Sequence, residues 1–581
     1  MMKVLPRKKI QLAFAAWLIV MIAGPAAAQF KEVRAKIKRE LVEQDVPSLA
    51  VAVARNGKII WEEGFGWADR EKRISATEHT MYSLASISKP ITATGLMVLV
   101  ERGLVDLDKP INDYLGEAKL NGRAFDASGA TVRLVANHTA GLPLHYQFFY
   151  RDEPYRRPAM DETIRRYANL VTPPGERSQY SNLGYGIIDF VLERVSGKSY
   201  PVFMREEVFL PLGLTRMSVH IGPGLEEFTA TRYNPEGEPY PFYDFDHPGG
   251  SAVFSSAHDL VRFGMFHLKN HLADQRQIIS DESIDEMHVP TASEEEGSGY
   301  GIGWSSHTND KGLRTVSHSG GMGGVRTNLI LLPDQNAAVV VLCNGSSSLP
   351  SEISQEIIAL LAPGKTEESE SQEVGAEVEL PKELIEKFVG NYALGSLTAR
   401  IYEDNGGLAV ETNRGSSPLI YQGDGVFIVS LAPSIKLKFE VEEGDTFLTF
   451  EAGDTVLRGS RQPEGPWLTA MPELVGTWRG EVATYQGDLP ITIVVKEAGG
   501  VYIQLGDQPW TVLDQAAFSE GVLGGIFSGD IGTEDANRRP YNLRLEVKKR
   551  DNVLNGSLIA LSLPGKWVGN ALTHWIEVKR K

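Results

Sequence analysis

Ser86 and Lys89 stand three apart in Tyr82-Ser-Leu-Ala-Ser-Ile-Ser-Lys-Pro90. On a helix that spacing puts both side chains on one face, about one turn apart. With Ser86 in the first turn, the helix dipole stabilises an alkoxide and favours an uncharged lysine. An uncharged lysine beside a serine can take its proton, so the pair is a candidate activated nucleophile. Pro90 supports this placement, because proline is tolerated near a helix start and disrupts an interior. Ser-x-x-Lys occurs only once in the chain.

Such a pair needs a proton shuttle for the leaving group and donors for an oxyanion. Pro173-Pro-Gly-Glu-Arg-Ser-Gln-Tyr180-Ser181-Asn182 places Tyr180 on a loop entering a helix. A phenol near Lys89 can relay the serine proton, and Asn182 can hydrogen-bond a substrate carbonyl. Tyr167-Ala-Asn169 has the same Tyr-x-Asn pattern, but it belongs to an amphipathic helical stretch over 163–171, where Tyr167 reads as packing. Thr315-Val-Ser-His318-Ser319-Gly320-Gly321 lies between two strand-like runs. His318 supplies a donor or partial charge, and the glycines let backbone approach a substrate closely. The amides of Gly321 and Ser86 are the candidate oxyanion donors. His220-Ile-Gly222 and His247-Pro-Gly249 share the His-x-Gly pattern without that strand context. The chain has no Gly-x-Ser-x-Gly elbow, no His-Glu-x-x-His and no cysteine cluster, so neither a Ser-His-Asp hydrolase nor a zinc site is indicated. No metal or cofactor is expected.

These groups need a scaffold. The 581 residues are enough for about three or four domains, and 42% hydrophobic with 23% charged residues is an ordinary globular composition. Residues 1–28 read as a secretory signal: Lys3, Arg7, Lys8 and Lys9, an apolar run from Ile10 to Ile22, then Ala26-Ala-Ala28 before Gln29. The alternative, an uncleaved anchor, needs roughly 20 apolar residues. The formal charge is −17, and losing the four cations of the signal makes the mature chain −21. With no concentrated basic patch, nucleic acid and anionic lipid are not expected partners. The single cysteine, Cys343, lies in the strand-like run Ala337–Cys343 and reads as a buried core residue; no intrachain disulfide can form. Together these features fit a periplasmic or secreted bacterial protein stabilised by packing.

A helical pattern from residue 30 is followed by strand-like Ser48–Ala54 and Ile59–Gly64, joined by Asn56-Gly57, a strong hairpin signal. Strand patterns return at Tyr300–Trp304, Thr315–Ser317, Asn328–Leu332 and Ala337–Leu342, with mostly helical sequence between 90 and 290. This arrangement predicts an α+β domain over 29–364, an antiparallel sheet flanked by helices. Residues 365–380 are acidic and free of aromatics, a flexible linker. Beyond them the chain reads as all-β and repeats itself. Phe388-Val-Gly-Asn-Tyr392 is echoed by Leu474-Val-Gly-Thr-Trp478, and Val456-Leu-Arg-Gly-Ser460 by Val553-Leu-Asn-Gly-Ser557. Two small β-barrel domains, 381–465 and 466–581, are expected, each with about eight strands and hinged at Pro463-Glu-Gly-Pro466. A single composite barrel is the competing layout.

The ordered set Ser86-x-x-Lys89, Tyr180-Ser-Asn182 and His318-Ser-Gly320 resembles the serine β-lactamase-related hydrolases, a family that includes class C β-lactamases, penicillin-binding DD-peptidases, esterases and D-aminopeptidases. The resemblance extends over about residues 30–360 and takes in Asn137-His-Thr-Ala-Gly-Leu142, Pro248-Gly-Gly-Ser-Ala252, Tyr300-Gly-Ile-Gly-Trp304 and Leu332-Pro-Asp334, which look like structural turns, with His138 holding one of them. It implies a β-lactamase/transpeptidase-like fold and an acyl-enzyme on Ser86. Lys89 and Tyr180 would handle the proton, the Ser86 and Gly321 amides would hold the oxyanion, and Asn182 would orient the acyl group. The third motif begins with His318, where β-lactamases and DD-peptidases of the family have lysine. A mostly neutral histidine, with an ordinary pKa near 6.5, weakens recognition of a substrate carboxylate. Small-molecule or peptide esters and amides are therefore the favoured substrates. A D-amino-acid-specific aminopeptidase, a DD-peptidase or β-lactamase, and a non-catalytic binding protein are the alternatives. The trailing β modules look most like a three-domain D-aminopeptidase arrangement. The aromatic and charged stretch Leu144–Pro158 reads either as a lid or as a surface excursion, and Asp244, Asp246 and His247 are possible partners for a substrate amine. The sequence does not indicate an oligomeric state.

Overall fold

The computed structural model describes residues 29–581, apart from 296–297, 367–379, 462–470 and the loop positions 395–396, 405, 413–414, 430–431, 443–444, 453–454, 564 and 566. The expected signal at 1–28, nearly all of the acidic linker and the Pro463–Pro466 hinge lie outside the described residues.

Ser48–Arg55 and Lys58–Asp69 form the expected hairpin, with Asn56 and Gly57 both at positive φ (51° and 71°), as a two-residue turn of this type requires. They belong to a nine-stranded antiparallel sheet. Its order is Ile74–Ser75, Lys58–Asp69, Ser48–Arg55, Ala337–Cys343, Val325–Leu332, Arg314–Met322, Ser305–Thr308, Ser298–Tyr300, Ala292–Glu295. Alternation along the central strands explains why they are apolar throughout. Ala50, Ala52, Val340 and Leu342 face the main core beneath the helical region. Leu49, Val51, Val339, Val341 and Cys343 face Val33, Ile37, Ile353 and Ile357 of the helices Lys31–Glu43 and Leu349–Leu361. Both faces are thus covered, and Cys343 is a buried core residue as expected.

The helix Ser88–Glu101 is buried over nearly its whole length in the middle of the main core. It packs against Asn182–Ser196, and Ala257–His267 covers the central strands. One strand expectation fails. Only Tyr300 of Tyr300–Trp304 lies in a strand, and 301–304 form the turn between Ser298–Tyr300 and Ser305–Thr308, in line with the turn implied by the resemblance. Gly303, at φ 83°, presses on Pro90 and Ala93 of the buried helix, where a Cβ would lie 2.8 Å from that of Ala93. Close approach to a helix, rather than strand pairing, explains these glycines.

The C-terminal region holds two separate sheets rather than one composite barrel. Eight strands from Gly390–Leu394 to Thr455–Ser460 follow one another in sequence, and a Tyr392–Arg461 bridge brings the ends together. The second sheet has nine strands and is nearly closed. Its first strand, Gly476–Thr484, pairs with its last, Ala571–Arg580, leaving an opening between Thr511–Val512 and Asp514–Ser519. The sequence echo has a physical counterpart. The Tyr392 hydroxyl donates to the Phe388 carbonyl at 2.9 Å, and the Trp478 indole donates to the Leu474 carbonyl at 2.8 Å. In each sheet a buried ring donor ties the first strand to the segment entering it.

Candidate active site

Ser86 lies in a 3-10 turn, Ala85–Ile87, that runs directly into the helix starting at Ser88. Ala85 is held at φ 49°, a left-handed conformation that costs about 1 kcal/mol for a residue with a Cβ. The turn is clamped from the sheet side. Gly320 lies against the Leu84 carbonyl and the Ala85 Cβ, and the Thr327 hydroxyl donates to Leu84 O at 2.9 Å. This contact sets the strand carrying His318 and Gly321 beside the serine. Past Ser317 that strand pairs with Val325–Leu332 and no longer with Ser305–Thr308, so among the described residues no strand pairs with its other edge there.

The Lys89 Nζ lies 3.2 Å from Ser86 Oγ, 2.8 Å from Asn182 Oδ1 and 3.0 Å from the Gly250 carbonyl oxygen. It is fully buried, and burial holds its pKa well below the ordinary lysine range. An uncharged amine has two N–H groups and one lone pair. Asn182 Oδ1 and Gly250 O accept the two hydrogens, which leaves the lone pair for the Ser86 hydroxyl. Asn182 is thus an acceptor for Lys89, a role the sequence did not suggest.

Tyr180 sits on the loop before Ser181, whose side chain caps the helix Asn182–Ser196 by accepting the Gly184 N–H at 3.1 Å. Its ring is 38% exposed, but its hydroxyl end is occluded: burial raises the phenol pKa and a hydrogen bond to Ser86 lowers it. Lys89 Nζ stands 4.7 Å from the Tyr180 ring centre and 5.7 Å from that of Tyr185. His138, at φ 67°, does hold a turn, accepting the Ser181 N–H on Nδ1 at 3.2 Å. It also packs between the rings of Tyr180 and Tyr300 at 4.4 and 4.6 Å.

His318 is buried, not a surface residue. Its Nδ1 donates to the Ser319 carbonyl at 2.7 Å, and its Nε2 accepts from the Tyr300 hydroxyl at 2.9 Å. Burial pushes its pKa down to about 3, so the ring is neutral. A cavity of about 350 Å³ opens here, lined by Tyr180, Tyr300, Ser317, His318, Ser319 and Asn328 among others, with no permanently charged side chain in its wall. Among the described residues no metal-binding cluster occurs.

Asp246 is not available to a substrate amine. It is fully buried, with Oδ2 2.5 Å from His145 Nε2 and Oδ1 2.7 Å from His247 Nδ1. Asp244 pairs instead with Arg157 and His220. The Leu144–Pro158 stretch is anchored in its first half and runs largely exposed over the surface from Arg151 to Arg157. Phe148–Tyr150 pairs with Tyr243–Phe245, and the second C-terminal sheet bonds the same segment through Tyr146 and Ala571. Tyr167 is packed as expected, but its hydroxyl also donates to Asp535 of that sheet. The sequence thus missed Gly250, Tyr300, Asp246 and the Tyr167 link. Pro248-Gly-Gly and Tyr300-Gly-Ile-Gly signalled turns, but turn chemistry does not say where a carbonyl or a phenol points.

The family model described as Beta-lactamase matches residues 33–362. Penicillin-binding protein 4* of Bacillus subtilis is 28% identical over 316 residues, 51% of this chain and 67% of that protein. Unguisins hydrolase ungD' of Aspergillus campestris is 26% identical over 343 residues, 56% of this chain and 62% of that protein. The matches to curated relatives thus span about two thirds of their length. Among solved structures, the octameric penicillin-binding protein homologue from Pyrococcus abyssi superposes with a TM-score of 0.52 at 23% identity, over 82% of this chain and 99% of that one. A class C beta-lactamase gives 0.50 at 18% identity, over 57% and 96%. At these identities the structural likenesses speak to the fold.

Proposed function

As the chain belongs to the β-lactamase family of serine hydrolases, we propose that it cleaves esters or neutral amides through a covalent acyl group on Ser86. The observation that carries this reading is the buried Lys89 Nζ 3.2 Å from Ser86 Oγ, with burial pushing its pKa down toward the uncharged form. The amine takes the serine proton as Oγ attacks the carbonyl carbon, and the Ser86 and Gly321 amides receive the negative charge on oxygen. Tyr180, hydrogen-bonded to Ser86, passes the proton to the leaving oxygen or nitrogen. Water then attacks the ester by the reverse proton path and frees Ser86.

Substrate class follows from charge. His318 is neutral and the cavity beside it has neither cation nor carboxylate in its wall. A free carboxylate or free amine on the substrate would find no counter-charge among these lining residues. This supports esters and neutral amides over β-lactams and over substrates of an aminopeptidase. We also read residues 1–28 as an export signal, which assigns the protein to the periplasm or the exterior of a bacterial cell.

The test is covalent labelling of the purified protein with a fluorophosphonate and, in parallel, a penicillin, read by intact mass with Ser86→Ala as control. A fluorophosphonate adduct that disappears in Ser86→Ala is expected. Absence of any adduct in folded protein would overturn the hydrolase reading in favour of a binding protein.

A further inference from the structure

The Gly250 carbonyl that accepts from Lys89 belongs to a short turn, Pro248–Ser251, whose N-terminal side is anchored by two buried carboxyl groups. Asp189 accepts the Gly249 N–H at 2.5 Å. Asp246, two residues before the turn, accepts from His145, from His247 and from the Gln147 N–H at 3.2 Å. Burial alone would push the Asp246 carboxyl up; the two ring N–H groups outweigh it and keep it ionised.

His145 and Gln147 come from the segment gripped by the second C-terminal sheet. The ring of Tyr167 lies 4.3 Å from that of His145, at 33°. Beyond it, Asp535 of the sheet accepts from the Tyr167 and Tyr485 hydroxyls, and Arg166 stands 3.7 Å away. A continuous buried path therefore runs Asp535, Tyr167, His145, Asp246, His247, Gly250, Lys89. It crosses from one domain to the other, and all its members except Lys89 lie outside the set that touches a substrate.

We propose that Asp246, held by His145 and His247, is a positioning residue that sets the Gly250 carbonyl against Lys89, and that the second barrel maintains this setting through Asp535 and Tyr167. The inference rests on Lys89 acting as the base, as proposed above. The barrel is then part of the catalytic apparatus rather than an appended module. A displaced Gly250 carbonyl would free one N–H of the amine and let its lone pair turn from Ser86, and misplacement of about 1 Å in such a site costs on the order of 10²-fold in rate.

The experiment is fluorophosphonate labelling at several probe concentrations in the full chain, which separates probe binding from the acylation-type rate constant. Tyr167→Phe keeps the ring and removes the Asp535 link; His145→Leu removes the donor to Asp246; His145→Gln keeps an N–H at the same reach. We expect the rate constant to fall about tenfold to a hundredfold in His145→Leu and severalfold in Tyr167→Phe, with probe binding unchanged and most of the rate restored in His145→Gln. A parent that labels at Ser86 while Tyr167→Phe and His145→Leu match its rate constant would overturn the inference and leave the Ser86 reading intact. So would His145→Gln performing no better than leucine. A parent that never labels would remove the Ser86 reading itself. Asp246→Asn is the sharper variant if it folds; the Tyr167 and His145 variants decide without it.

Discussion

Lys89 Nζ stands 3.2 Å from Ser86 Oγ, and among the described residues the amine has hydrogen-bond acceptors but no ion-pair partner. A cation buried without a counter-charge is strongly disfavoured, so burial pushes the Lys89 pKa down and favours the uncharged form that can act as a base. Lys89→Met, close in volume and lacking the nitrogen, is expected to slow acylation by about 10²- to 10⁴-fold. The time course of the mass adduct measures this directly, and a rate within a factor of ten of the parent would reject Lys89 as the base.

The neighbouring glycines should respond differently. A Cβ on Gly320 runs into the Leu84 carbonyl, whereas one on Gly321 meets nothing nearer than Arg326 Nη1 at 3.4 Å. Gly320→Ala is expected to lose about 1–3 kcal/mol of stability and most labelling, because the strand must move off the Ser86 turn. Gly321→Ala should keep its melting temperature within a few degrees. Equal melting temperatures for the two variants would contradict the clamp.

Acid should unfold the protein through its histidines. Burial pushes His318 and His288 down to about 3 and His574 to about 4, all below the ordinary 6.5. As pH falls through 6.5 the unfolded chain takes up protons that the folded chain refuses until about pH 3–4. The stability they contribute is therefore complete above about 6.5 and is lost progressively below it. Melting temperature is expected to fall steadily from pH 7.5 to 4.5, and less steeply in His574→Leu. A flat profile would mean that these rings are open to solvent.

Substrate charge offers a further check. A pair of substrates differing only in a free carboxylate or its methyl ester beside the scissile bond should be separated at least about tenfold in kcat/KM in favour of the ester, the cost of burying an anion without a partner. Preference for the acid would point to a cation reaching the cavity on substrate binding, with Arg326 the first residue to substitute.

Tyr392→Phe removes one buried ring donor and is expected to cost about 0.5–1.5 kcal/mol, and Trp478→Phe removes a donor together with part of a fully buried ring and is expected to cost about 2–3 kcal/mol. Urea unfolding followed by intrinsic fluorescence would measure both. If neither changes stability, the parallel bonds are incidental to the two sheets.

What the sequence revealed divides along a physical line. The Asn56-Gly57 turn, the apolar strands and the Ser86/Lys89 spacing are local patterns, and local geometry was enough to read them. The doubling of the β region was legible because Tyr392 and Trp478 recur in matched contexts. Gly250, Tyr300 and Asp246 act through backbone direction or through partners about a hundred residues away, such as His145, and no local period encodes that. Tyr167 shows the same limit. Its helical pattern correctly implied burial, yet its hydroxyl bonds Asp535, 368 positions along the chain.

The second sheet holds the segment 144–150 partly by side chains, with the Tyr150 hydroxyl accepting the Val568 N–H at 2.8 Å and Arg538 over the Phe149 ring, and partly by the segment's main-chain atoms. Thr573 donates to the Leu144 carbonyl, Tyr146 and Ala571 exchange two backbone bonds at 3.0 and 2.9 Å, the Phe148 N–H donates to Asn570 at 2.9 Å, and Arg538 donates to the Phe148 carbonyl at 2.8 Å. Those atoms are common to almost every amino acid. Substitution along the segment therefore leaves these bonds in place but is limited by packing, since His145, Gln147, Phe148, Phe149 and Tyr150 are all buried. The same segment thus joins the barrel largely through its backbone and fills the core with its side chains.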